Sequence, residues 1–246
     1  MKLFVYHTPE QVPSATDGDL ATQPDCAIAV DILRATTTIA TALAAGAEAI
    51  QVFADLALLE DASGAWSPEL SLRAGERGGS TVPGYDLGNS PFDYSPDVVS
   101  GKRIFMSTTN GTRALTRVHA APTVMTAAFV NIGAIVRELQ TQGFETVWIV
   151  GSGWEGAFSL EDAACSGAIA YLLQQSGYNL KLGNDEAVAA IALYKCWQDN
   201  LVDLLRSASH GQRLLRLGRD EDLEYCASLN RLDVIPHQSE SGVLVA

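Results

Sequence analysis

AIAVDILRATTTIATALAAG, residues 27–46, changes character at its middle. Ala27–Val30 is an apolar run that reads as a buried strand, and the alanine-rich run from Thr36 reads as a helix ended by Gly46. An acid, an arginine and three threonines (Asp31, Arg34, Thr36, Thr37 and Thr38) occupy the joint between them. A strand that leads straight into a helix is the repeating unit of parallel sheets. Residues at such a joint lie beyond the carboxyl end of the strand, where open parallel sheets bind their ligands.

The same alternation continues outward from this stretch. AIQVF (49–53), LSLRAG (70–75), KRIFMST (102–108), TVMTAAF (123–129) and TVWIVG (146–151) read as strands. TRALTRVH (112–119), IGAIVRELQTQG (132–143, with Asn131 as its cap), EDAACSGAIAYLLQQSG (161–177) and the run 185–209 read as helices. The expected fold class is α/β, a mainly parallel sheet layered with helices (α/β/α), with the site at the C-terminal strand ends. One α/β unit over 1–246 is expected, either a single lobe or two lobes with the site between them. The irregular segment 75–100, rich in Gly, Pro, Asn and Asp, is too long for a simple connector and is a candidate functional loop.

Composition narrows the partners. The 246 residues are 47% hydrophobic and 18% charged, which suits a folded chain. A net charge of −13 disfavours nucleic acid and anionic membranes, so an anionic ligand needs a local cationic site. MKLFVYHTPE carries no signal pattern, and no segment reaches the roughly 18–20 unbroken apolar residues of a membrane span. Cys26, Cys165, Cys196 and Cys226 are scattered and form no CxxC, as expected of reduced thiols in a cytoplasmic protein.

Three joints between strand and helix carry polar clusters: DILRATTT (31–38), STTNGTR (107–113) and GSGWEGAFSLED (151–162). Helix N-termini there favour anions, threonine hydroxyls add donors, and Arg34 and Arg113 offer forked bonds to phosphate. Asp31 is placed to hold a hard cation. Each feature also has a plainer reading. Thr36 can cap a helix, and Asp31 can pair with Arg34. Ser159 and Asp162 spell a capping box, while TTNGT and GERGG can be turns. Gly151, Gly153 and Gly156 spell GxGxxG, but the helix cap comes later and the acid about twenty residues on is missing, so a dinucleotide site is not expected. Neither a cysteine-phosphate loop, an aspartyl-phosphate motif nor a P-loop is present. His7, His119, His210 and His237 are isolated and read as surface or packing residues.

Five motifs occur in order: VDILRATTTI (30–39), GERGG (75–79), GYDLGNSP (84–91), STTNGTRAL (107–115) and GAFSLEDAACSG (156–167). Together they resemble the 2-phosphosulfolactate phosphatase family, known from coenzyme M biosynthesis. One departure is VGSG (150–153), where many relatives carry a cysteine. The resemblance implies a magnesium-dependent phosphatase with an α/β fold. It implies a substrate bearing phosphate, carboxylate and sulfonate on three carbons. Magnesium is expected on two or three of Asp31, Glu76 and Asp162, with Glu161 adjacent. One of these four acids would serve as the base or the leaving-group acid for direct attack by water. Arg34, Arg77 and Arg113 are the expected anion clamps. Thr36, Thr37, Gly78, Asn89, Ser90, Thr108, Thr109, Asn110, Gly111 and Thr112 are the expected substrate contacts in the same motifs. The expected partner is a small anionic phosphate ester, with self-association into a homo-oligomer left open. The alternatives are a non-catalytic phosphometabolite- or nucleotide-binding protein, or a phosphatase for another small polyanionic ester.

Overall fold

The computed structural model describes residues 1–13, 23–108 and 111–246. Every residue of strand β2 (Cys26–Val30) is buried, as in a strand covered on both faces. It pairs in parallel with β7 (Thr123–Ala127) and β8 (Thr146–Gly151), so Val30 lies level with Ala127 and Gly151. β8 pairs in parallel with β1 (Lys2–Tyr6), and β1 with the short β9 (Lys181–Leu182). A second parallel block is formed by β3 (Ala49–Val52), β6 (Arg103–Ser107) and β4 (Ser71–Arg77).

The two blocks are joined by an antiparallel hairpin, β10 (His237–Glu240) and β11 (Val243–Val245), which inserts between β7 and β3. With β5 (Ser80–Thr81) on the edge of β4, the order among the described residues is β5-β4-β6-β3-β11-β10-β7-β2-β8-β1-β9. The fold class is therefore α/β, as expected, with an antiparallel insert that the strand–helix alternation did not reveal. The first strand of that hairpin is polar (HQSE) with no readable alternation, and the second is apolar but only three residues long (VLV), so neither reads as a strand.

Helices α1 (Ala35–Ala44), α2 (Leu56–Gly64), α4 (Gly111–Val118), α5 (Ile132–Gln142), α6 (Leu160–Gln175) and α7 (Asp185–Trp197) clothe the sheet, with α3 (Pro96–Val99) in the long connector. The single helical run expected over 185–209 is broken after Trp197, and α8 (Leu201–Ser207) starts afresh. It is followed by α9 (Ser209–Arg216) and α10 (Asp220–Cys226). Asn131 stands at the N-cap of α5 as expected, yet its side chain points elsewhere. Its Oδ1 accepts from the Ala128 N–H (2.8 Å), and its Nδ2 donates to the Val234 carbonyl (3.1 Å). Among the described residues, no helix is long and apolar enough to cross a membrane.

Candidate active site

Asp31 follows β2 directly and is buried. The loop after it is shaped by its own polar groups. The Thr36 hydroxyl donates to the Asp31 carbonyl (2.9 Å) and accepts from the Asp31 N–H (3.0 Å), while the Thr37 hydroxyl donates to the Ile32 carbonyl (3.0 Å). These hydroxyl protons are therefore engaged by the loop, a correction to their expected role as donors to a substrate. A carbonyl fixed one turn away outcompetes a ligand from solvent for the same proton. Thr38 reaches further and donates to the Asn89 carbonyl (2.9 Å), tying the GYDLGNSP loop to α1.

Ser159 caps α6 as expected, accepting from the Asp162 N–H (3.2 Å). The reciprocal half of the capping box is not made. Asp162 instead turns its carboxylate away from its own helix. Oδ1 accepts from the Ile32 N–H (2.9 Å) and Oδ2 from the Gly153 N–H (3.3 Å). One side chain thus clips the loop after β2 to the loop after β8.

Asp31, Glu161 and Asp162 are all buried, and their charges act on one another. Burial is the largest influence lifting the Asp31 carboxyl from 3.8 to about 7. The Glu161 and Glu76 charges add to this, and the Ala35 N–H and Arg34 oppose it. Burial also raises Glu161, against hydrogen bonds that favour its charged form. Asp162 is raised well above the usual range by burial and then by the charges of Asp31 and Glu161. Crowded buried carboxylates hold protons or attract a cation.

The fit to a metal follows from these donors. Among the described residues, no group of three or more His, Cys, Asp and Glu side chains is arranged to hold a metal ion. Glu76 accepts from the Gly79 N–H within its own hairpin, so the expected trio Asp31, Glu76 and Asp162 is not gathered as a ready cage. The oxygen-only, negatively charged set still fits magnesium. That ion commonly takes one or two carboxylates and leaves its other positions to phosphate oxygens and water. Asp31 Oδ2 has no hydrogen-bond partner among the described residues and faces Gly111.

The expected arginines diverge. Arg34 is buried, and its Nη1 donates to Asp222 Oδ2 at 2.5 Å rather than pairing with Asp31. Asp222 Oδ1 accepts from the Ser90 hydroxyl (2.6 Å). Arg77 lies at the end of β4, where Nη2 donates to Ser107 Oγ (2.9 Å) and Nη1 to its neighbour's carbonyl at Glu76 (2.7 Å). GERGG is a tight turn: Arg77 pairs with Ser80 around Gly78 (φ 65°) and Gly79 (φ 85°), as a two-residue hairpin loop of positive φ requires. Arg213 on α9 donates to the Gly78 carbonyl (2.7 Å) and holds that turn. Arg113 is not brought to the acids. It pairs with Glu10 on the surface, because the first turn of α4 points it outward along the helix flank.

Gly111 opens α4 against Asp31. A Cβ there would lie 2.4 Å from Ala35 Cβ, 3.0 Å from Asp31 Oδ2 and 3.1 Å from Thr108 Oγ1, so only glycine permits this approach. Thr112 donates to the Thr108 carbonyl (3.0 Å). Thr109 and Asn110 lie outside the described residues. Thr108 Oγ1, Asn89 Oδ1 and Ser152 Oγ are buried without a hydrogen-bond partner among the described residues. Orphaned polar atoms of this kind, at the ends of β6 and β8 and in the loop joined to α1, mark a place for a polar ligand.

Sequence reasoning missed the wall built by α8–α10. His210, expected as a surface or packing residue, stacks on Trp154 (3.8 Å between centroids) with Nδ1 3.7 Å from Glu161 Oε1. Burial, then Arg34 and Arg213, lower His210 to about 3, so the ring is neutral. Trp154, Ser159, Glu161, Ser207 and His210 line a hollow of about 150 Å³ beside the acids. Asp222 carried one readable signal: it shares a helical face with Tyr225 and Cys226, where a lone acid calls for a buried partner.

Comparison with known proteins sets this arrangement of buried acids in a family. The 2-phosphosulpholactate phosphatase family model matches residues 6–241. A protein of Synechococcus sp. (strain JA-2-3B'a(2-13)) named "Probable 2-phosphosulfolactate phosphatase" is 60% identical over 249 residues, covering 100% of this chain and 99% of its own. Proteins of the same name from Microcystis aeruginosa (57% identical, 100% of this chain and 99% of theirs) and Cyanothece sp. (59%, 100% of both) are similarly close. The chain belongs to the 2-phosphosulpholactate phosphatase family.

Proposed function

We propose that this protein hydrolyses 2-phosphosulfolactate to sulfolactate and inorganic phosphate, with magnesium at the acid cluster. The observation that carries the reading is the set of three buried, mutually repelling carboxyls, Asp31, Glu161 and Asp162, gathered at the strand ends beside a buried arginine. The family and the names of its relatives favour this substrate.

Asp31, through Oδ2, and one neighbouring acid would hold the ion. Once bound, magnesium would neutralise phosphate oxygens and lower the pKa of a bound water. Arg34 brings fixed positive charge to the same region, and Arg77 adds a second point at the rim. Asp162 keeps the β2 and β8 loops in register, which holds Asp31 and Glu161 at a constant separation. Glu161, raised by burial, can keep a proton at Oε1 and pass it to the departing alkoxide of the substrate. The water-excluding walls of Trp154 and His210 strengthen each of these interactions.

Release of inorganic phosphate from racemic 2-phosphosulfolactate, with chelator and after magnesium is restored, tests the reading. Loss with chelator and recovery on re-addition are expected. Full turnover in metal-free buffer overturns the metal, and binding of the ester without phosphate release overturns the hydrolase.

A further inference from the structure

We infer that Asp222, which lies outside the five motifs, is a positioning residue that sets the direction of the Arg34 guanidinium toward the phosphate of the substrate. The inference rests on the proposed hydrolase reading. Arg34 and Asp222 are 4% and 3% exposed in their side chains, so neither charge has water to solvate it. A buried guanidinium without a counter-ion is strongly unfavourable, so the pair must form before any substrate arrives.

The Asp222 carboxylate is pinned at both oxygens, by Arg34 Nη1 at 2.5 Å and by Ser90 Oγ at 2.6 Å. It cannot rotate without breaking one of them. A guanidinium carries five N–H donors in a rigid planar fork, and fixing one nitrogen restricts where the others point. Arg34 makes only this one hydrogen bond among the described residues, which leaves Nε and Nη2 available to oxygens in the cleft. Its charge bears on both Asp31 and His210.

What holds Asp222 is the docking of α10 along α1. Tyr225 Oη lies 3.2 Å from Thr41 Oγ1. Asp222 and Tyr225 of α10 thus meet Arg34 at the start of α1 and Thr41 within it, two points that restrict the rotation of α10. The arginine's direction is set by a helix nearly two hundred residues away in sequence (|i−j| = 188) and not by its own loop.

A mere counter-ion would give stability alone, whereas a positioning residue changes anion binding through Arg34. The test uses the full chain as wild type, Asp222→Asn, Ser90→Ala, Arg34→Lys and the Arg34→Lys/Asp222→Asn double variant. The readouts are kcat and KM for 2-phosphosulfolactate, calorimetric affinity for inorganic phosphate, and melting temperature. Asp222→Asn is expected to lower kcat/KM by about 10- to 100-fold, as loss of an orienting partner typically does, and to weaken phosphate binding with it. In the Arg34→Lys background the same change is expected to add little, because the two act as one unit. Ser90→Ala keeps the ion pair, loosens the carboxylate, and is expected to weaken phosphate binding to a lesser degree. Unchanged phosphate affinity in Asp222→Asn, or additive losses in the double variant, overturns the inference. If Asp222→Asn does not fold, unchanged affinity in Ser90→Ala overturns it instead. A wild type that binds phosphate but releases none from 2-phosphosulfolactate overturns the hydrolase reading, while the affinity comparison still decides the role of Asp222. If the wild type releases phosphate from 2-phosphosulfolactate but does not bind inorganic phosphate, the kinetics decide, and an unchanged kcat/KM in Asp222→Asn overturns the inference.

Discussion

Replacing Asp162 by asparagine tests the junction at the centre of the site. The carboxylate accepts two backbone N–H groups from different loops, Ile32 at 2.9 Å and Gly153 at 3.3 Å. An amide has a single oxygen. It can keep the shorter bond to Ile32, but its NH2 then faces the Gly153 N–H, donor against donor. A buried donor left unpaired costs about 1–3 kcal/mol. Relief of the repulsion with Asp31 and Glu161 offsets part of that cost and places the net loss toward the lower end. At about 2–4 °C per kcal/mol for a chain of this length, a net loss of about 1 kcal/mol means that Asp162→Asn should melt roughly 2–4 °C below wild type. Turnover should fall much further, by about 10- to 100-fold, because both loops carry site residues. Ser159→Ala is the control. It removes the α6 cap, worth about 0.5–2 kcal/mol, without touching the two-loop clip, and should keep substantial turnover. Thermal melts and phosphate release on both variants, at saturating magnesium, provide the comparison. Equal losses of turnover in the two, at matched losses of melting temperature, would refute the junction argument. So would an Asp162→Asn protein with wild-type melting and turnover.

Gly111→Ala should lower stability by about 1–3 kcal/mol and turnover more severely, since the new methyl meets Ala35 Cβ and moves α4 off Asp31; melting and turnover both at wild-type values would refute the close approach. Arg113→Ala should leave turnover at the wild-type level and cost at most about 1 kcal/mol, as expected of an exposed pair with Glu10; a severe loss of turnover would place Arg113 on the substrate. For Asp31 the sign follows from a folded pKa raised from 3.8 to about 7, so the folded protein holds the proton more tightly than the unfolded chain. The associated stability is complete below the unfolded value and is lost as pH rises through about 7. Urea melts in chelator at about pH 5 and about pH 8 should therefore show Asp31→Asn gaining on wild type at the higher pH, and a difference independent of pH would refute the shift.

Residues 27–46 were enough to place a buried strand, a helix and a polar joint, because side-chain periodicity and turn chemistry are written along the chain. The same local logic located the ends of β6 and β8 and the Ser159 cap, fell two residues short of the end of β4 at Arg77, and the five motif loops pointed to the family. The partner of each polar group was another matter. Whether Arg34 pairs with Asp31 or Asp222, whether Asp162 closes its own capping box or clips two loops, and whether Arg113 faces a substrate or Glu10 depend on which surfaces are brought together. So does the insertion of β10 and β11 between the two parallel blocks. A local pattern fixes which face of an element is apolar, but a buried charge takes the counter-charge that packing delivers, and for Arg34 that came from a helix with no motif of its own. The sequence alone therefore determined the fold class, the strand ends that bear the candidate site and the chemical types of the residues proposed for it. Only the tertiary structure decided which of those residues meet, because desolvation makes every buried polar group choose a partner from whatever lies within a few ångströms in space and not along the chain.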